Sequence, residues 1–90
     1  MRKKEKRSNA GAHESGSLDM LPLGVAARVL NVQGASAIAR RLMEMGIVPG
    51  APIKVVRTAP LGDPIQVCLR NYHLALRLLE ARAITVLVGT

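Results

Sequence analysis

Few side chains in this sequence could do chemistry. Cys68 is its one cysteine, and His13 and His73 are its two histidines. Thiolate and imidazole are donors that soft transition metals favour, which makes Cys68 and His73 weak candidates for a metal site. A functional centre needs three or four ligands and a supporting shell. No third donor stands near them in sequence, so the plainer reading is a half-buried thiol and an exposed imidazole. Met43 and Met45 could also be soft ligands, but at helical spacing beside Leu42 they read as core or interface filler. Beyond residue 19 the only acidic residues are Glu44, Asp63 and Glu80, too scattered to form a general acid and base. No Ser–His or Cys–His arrangement has a third group to orient it. No glycine-rich loop leads into a helix as phosphate binding requires. The sequence therefore reads as a binding protein rather than an enzyme, with no resident cofactor and at most weak transition-metal binding.

The elements that would position a binding surface are organised around Arg57–Ile65, RTAPLGDPI. Strand-like residues flank it: Ile53, Val55 and Val56 before, Ile65, Val67 and Leu69 after. Proline has no N–H for a ladder and glycine tolerates positive φ, so Pro60, Gly62, Asp63 and Pro64 mark a loop that leaves and re-enters a sheet. Two prolines restrict the unfolded chain, so this loop is expected to be stiff. Asp63 reads as a turn residue whose carboxylate accepts backbone N–H groups.

Ninety residues with one Tyr and no Phe or Trp make one small domain with an aliphatic core. The net charge is +7. Residues 1–19 hold five basic and three acidic groups, and residues 20–90 hold eight and three, so the body itself is basic. That suits an acidic protein surface, an anionic membrane or nucleic acid. The scarcity of aromatics argues against single-strand nucleic-acid binding, which uses them as stacking platforms. The lone Cys68, the polar stretch after Met-Arg-Lys-Lys and the lack of a long apolar run give a soluble, cytoplasmic reading. Residues 1–17 are expected to be a disordered basic tail, with the domain at 18–90. His13 in that tail reads as a solvated side chain.

Along the chain, Leu18–Gly24 reads as an extended entry segment and Ala27–Val32 as the first strand. Ser36 is a helix N-cap candidate. Ile38, Leu42 and Met45 predict the buried face of a helix over 36–45, with Arg40, Arg41 and Glu44 on the other face. Gly46 is expected in the left-handed region with Ile47 packing back on the last turn, and Pro49-Gly50 as a type II turn. Strands follow at Pro52–Thr58 and Pro64–Arg70. A hairpin turning at Asn71-Tyr72 would pair Leu69 with Leu74, Val67 with Leu76 and Ile65 with Leu78, putting Cys68 and His73 on the outer face, diagonal to each other. A 3₁₀ turn at 79–81, preferred to a helix through Leu74–Arg82 that Leu, Ala, Arg and Glu would also favour, and a last strand Ile84–Val88 complete the order. About five short antiparallel strands with one helix suit a mainly β, SH3-like barrel, closed so that no edge is exposed.

These residues also resemble a known family. Arg41-Leu42-Met43-Glu44-Met45-Gly46-Ile47-Val48-Pro49-Gly50, then Val55 through Ile65, then Leu74-Ala75-Leu76-Arg77, Glu80-Ala81 and Ile84-Thr85-Val86 are similar to FeoA, the ferrous iron transport protein A family. The likeness covers about Leu21 to Val88. It implies an SH3-like barrel and a non-enzymatic role beside FeoB, a membrane transporter with a cytoplasmic GTPase domain. It implies recruitment to the inner face of the membrane through that partner alone.

The docking surface expected on this basis comprises Arg40, Arg41, Arg57, Pro60, Leu61, Gly62, Asp63, Pro64 and Arg77. Arg40 and Arg41 could equally be solubilising charges. The alternatives are a small basic nucleic-acid-binding module and an SH3-like adaptor for proline-rich peptides. Adaptors of that kind line their grooves with aromatics, and this chain offers only Tyr72. Self-association is left open.

Overall fold

The structure is a computed structural model that describes residues 14–34 and 37–88. Strand β1 is Glu14–Ser17, and a 3₁₀ turn at Leu18–Met20 leads to β2, Ala26–Val32. Helix α1 spans Ala37–Glu44. Strands β3 (Pro52–Thr58), β4 (Ile65–Leu69) and β5 (Tyr72–Leu76) follow, then helix α2 (Leu78–Arg82) and β6 (Ile84–Val88). All neighbouring strands are antiparallel, in the order β1-β6-β2-β3-β4-β5.

The mainly β, SH3-like architecture agrees with the expectation, with six strands and two α-helices where five and one were anticipated. Glu14–Ser17 is not the end of a tail. It pairs with Thr85–Val88 as a strand, on the side of β6 away from β2. Residues 1–13 lie outside the described region, as does Ser36. The ladder does not close: among the described residues β1 and β5 are the two ends of the sheet. Residues of β2 through β6 share one aliphatic cluster with Leu18, Leu42 and Ile47, so the sheet must wrap around that core.

Helix α1 ends as its sequence dictates. Ile47 N–H donates to Leu42 O at 3.1 Å and Gly46 N–H to Met43 O at 3.0 Å, the two bonds of a Schellman motif, with Gly46 at φ +99°. Ile47 and Leu42, the apolar pair that accompanies it, are both fully buried. Pro49-Gly50 forms the type II turn: Ala51 N–H reaches Val48 O at 3.0 Å and Gly50 has φ +90°. The buried helical face differs by one position from the expected one. Ala39 and Leu42 are buried and Ile38 is exposed, so the helix turns its smaller side chain inward beside Leu42.

The β4–β5 hairpin turns at Arg70-Asn71, so its return arm is shifted by two residues from the expected register. Leu69 pairs with Tyr72, Val67 with Leu74 and Ile65 with Leu76. A slip of two keeps every side chain on its face, so Ile65, Val67, Leu69 and Leu76 are buried as anticipated. Arg70 supplies the positive φ the turn needs, at 38°. The strand ends at Leu76, and α2 replaces the expected 3₁₀ turn. The cause is a pair of acceptors at its start: Glu80 Oε1 takes Arg77 N–H at 2.8 Å and Asp63 Oδ1 takes Leu78 N–H at 3.0 Å.

Candidate functional site

The loop between β3 and β4 is braced by its own backbone bonds. Gly62 N–H donates to Ala59 O at 2.7 Å and Ala59 N–H to Pro64 O at 3.0 Å. Gly62 sits at φ +89°, and the Asp63–Pro64 peptide is cis. Asp63 does accept backbone N–H, as its residue type suggests, but the donor belongs to Leu78, 15 residues on. The carboxylate thus staples the loop to the first turn of α2, where the helix dipole favours a negative charge. Arg77 Nε lies 3.7 Å from the same oxygen, and at 68% exposure its side chain stays mostly in water. At the tip, Leu61 is 96% exposed. A leucine side chain held out on a braced loop is an aliphatic group of the kind that can anchor in a partner's pocket. Leu79, on the helix the loop is stapled to, is exposed as well.

Of the expected arginines, the structure brings Arg57 and Arg77 to this loop and sets Arg41 apart. Arg41 Nη1 lies 2.7 Å from Glu80 Oε2, and Glu80 is 5% exposed. One carboxylate therefore joins α1 to the start of α2, and Arg41, whose side chain is 62% exposed, is held there by an ion pair. Arg40 is exposed on α1.

Arg57 reaches the outer face through a β-bulge. Strict alternation from Ile53 and Val55 would send it into the core. The register shifts between Val55 and Arg57, so Arg57 pairs with Gln66 and faces out. Bulges re-aim side chains in this way. The outer face then carries two rows. Ala26, Lys54, Cys68 and His73 are successive partners across β2–β5, and Arg57, Gln66 and Ala75 form the row beside them. Arg70 stands at the hairpin end. The carboxylates among the described residues lie on β1, the 3₁₀ turn, α1, the loop and α2, so this face is basic without compensation. A hollow of about 390 Å³ opens at the foot of the loop between Arg57, Thr58, Pro64, Gln66, His73 and Ala75. A second, of about 230 Å³, lies near Lys54, Cys68 and Arg70. Lys54 and Arg70 were not singled out in the sequence. Lys54's position between two buried residues of a strand was the signal that could have found it.

Cys68 and His73 are direct cross-strand partners, not diagonal ones. Cys68 is half-buried, its Sγ 3.9 Å from Arg70 O, and His73 is exposed. No group of three or more His, Cys, Asp or Glu suited to a metal occurs among the described residues, so the pair could contribute two donors only. Tyr72, the single aromatic residue, donates its hydroxyl to Met45 O. It therefore ties the edge strand to the end of α1, and its hydroxyl is already engaged.

No helix among the described residues is long and apolar enough to cross a membrane. Residues 16–88 match the FeoA domain. A Porphyromonas gingivalis protein described as an Fe(2+) transport protein A/Fe(2+) transporter FeoB fusion is 38% identical over 69 residues, 77% of this chain and 8% of that protein. The chain thus spans a small fraction of the fusion's length. Among solved structures, the FeoA protein from Chlorobium tepidum is 46% identical with a TM-score of 0.74, covering 80% of this chain and 69% of that one. FeoA from Stenotrophomonas maltophilia, complexed with zinc and described as a procaryotic SH3 domain protein, is 39% identical with a TM-score of 0.70, covering 78% and 87%. On the extent of the domain match, this chain belongs to the FeoA domain family.

Proposed function

We propose that the chain is a non-enzymatic accessory protein of ferrous iron uptake that docks on the cytoplasmic part of a FeoB-type membrane GTPase transporter. One observation carries this reading: in the P. gingivalis relative the corresponding segment is covalently joined to FeoB. Fusion holds two modules at high effective concentration, and a separate chain must replace that tether with affinity. Features of the loop surface support the reading. Leu61 is an exposed apolar anchor on a braced loop, and Arg57 and Arg77 flank it with charge. Charged rims accelerate encounter and fix register, while buried anchors supply most of the affinity.

The test is ferrous iron uptake in cells that lack this chain but keep the transporter. Wild-type chain returned to those cells should shift uptake back to its original rate, and a chain carrying Leu61→Ala and Arg57→Glu, shown to be folded, should not. Uptake that is indifferent to the chain would refute the proposal.

A further inference from the structure

We propose that β5 is an open sheet edge that receives an extended segment of the transporter as an added strand, with acidic side chains of that segment directed toward Arg57 and His73. This inference rests on the docking reading above and specifies how the partner is held. The starting point is register. A two-residue turn makes Leu69 and Tyr72 a hydrogen-bonded pair, and pairs then alternate along the ladder. Leu74 and Leu76 therefore spend their N–H and C=O groups on β4, whereas those of His73 and Ala75 point away from it. No strand lies beyond β5 among the described residues, and no backbone bond from His73 or Ala75 to another part of the described chain is present.

Natural edges are normally blunted by lysine, proline or a bulge. The β5 sequence Tyr72–Leu76, YHLAL, contains no lysine, proline or carboxylate, and its ladder with β4 has no register break. The edge is also unfinished on its inner face, where Tyr72 is exposed and Leu74 only partly buried. An added strand would satisfy the outward backbone groups and cover that apolar pair with every second side chain. Its alternate side chains would stand on the outer face, over the hollow of about 390 Å³ lined by Arg57, Gln66, His73 and Ala75. That face is basic, with Lys54 and Arg70 nearby and no carboxylate of its own among the described residues. A segment alternating acidic and apolar residues fits both sides. A second copy of this chain fits less well, since it would bring further arginines to a face that already lacks acids. Single-stranded nucleic acid lacks a stacking platform on the outer face, because Tyr72, the one aromatic residue, pairs with buried Leu69 on the inner face.

The experiment uses the full chain and the full-length transporter in nanodiscs. Quenched amide exchange, read by NMR on the recovered chain, should show the His73 and Ala75 amides slowed about tenfold or more by the transporter. The Leu74 amide, already bonded to β4, should change little. Ala75→Pro removes an outward donor without breaking the ladder and should weaken binding about tenfold. Arg57→Glu should weaken it similarly and flatten its salt dependence. Binding that leaves the His73 and Ala75 amides and the Ala75→Pro variant unaffected overturns strand addition while leaving the docking reading intact. No binding at all overturns both. If Ala75→Pro does not fold, the wild-type exchange result decides alone.

Discussion

Replacing Asp63 by alanine should loosen the candidate surface from its support, and the structure fixes how much. The Asp63 carboxylate has one well-formed hydrogen bond, 3.0 Å from Leu78 N–H at the start of α2. Removing an N-terminal cap costs about 0.5–2 kcal/mol. Here the acceptor also ties a loop to a helix 15 residues away, which places the cost in the upper half of that range, about 1.5 kcal/mol. The ion pair with Arg77 adds little, since the separation is 3.7 Å and the arginine side chain is 68% exposed. Asp63→Asn keeps an oxygen acceptor and should lose about 0.5 kcal/mol or less, and Arg77→Ala no more than that. In a domain of this size about 1.5 kcal/mol lowers Tm by roughly 6–12 °C. Chemical denaturation and thermal circular dichroism of the three variants measure this directly. If Asp63→Asn were as damaging as Asp63→Ala, charge rather than the cap would be responsible and the reasoning would be wrong. It would be equally wrong if Asp63→Ala unfolded like the wild type.

Three further predictions concern the supports and the thiol–imidazole pair. Gly46→Ala should cost about 1–3 kcal/mol, since the residue sits at φ +99° and a Cβ there would lie 2.9 Å from the Tyr72 hydroxyl oxygen. In a Tyr72→Phe background that cost should shrink, and urea unfolding of the double-mutant cycle gives the coupling; strict additivity would contradict the contact. Glu80→Ala should destabilise by about 2 kcal/mol in urea unfolding, because it leaves Arg77 N–H without its acceptor and releases Arg41. The loss of Arg41 alone should cost less, as that side chain is 62% exposed and rehydrates. Zinc should bind the full chain weakly through Cys68 and His73, with Cys68→Ser abolishing the calorimetric signal; tight binding that survives both Cys68→Ser and His73→Ala would put the metal elsewhere.

Local chemistry made the turns legible. Gly46 and Gly50 each stand where a positive φ is needed, and Pro60 to Pro64 could only be a loop. The faces of β4 and β5 were legible from alternation, and remained right under a register slip of two because the pleat has that period. What escaped the sequence depended on distant partners. The Glu14–Ser17 segment has no apolar pattern of its own and is a strand only because β6 offers a ladder. The α2 helix exists where a single turn was expected because Asp63 and Glu80 supply its first acceptors. Arg57 faces outward only through a bulge, which strict alternation hides. Arg41 read as either a docking or a solubilising residue on a solvated helix face; that it pairs with Glu80, a buried carboxylate far along the chain, had no local signal. The composition ruled out an aromatic core and gave a basic domain, but the concentration of that charge on the β2–β5 face came from strand order.

A braced loop and the basic face beside it are what should hold this chain on the transporter. Isothermal titration of the full-length transporter with the full chain puts that to the proof, comparing wild type, a Leu61→Ala/Arg57→Glu variant and an Arg40→Ala control on α1. Wild type and control should bind saturably, and the loop variant should lose at least about tenfold in affinity, as expected when an anchor and a rim charge are removed together. Equal affinity for all three, with each chain folded, would mean that the transporter is held by some other surface.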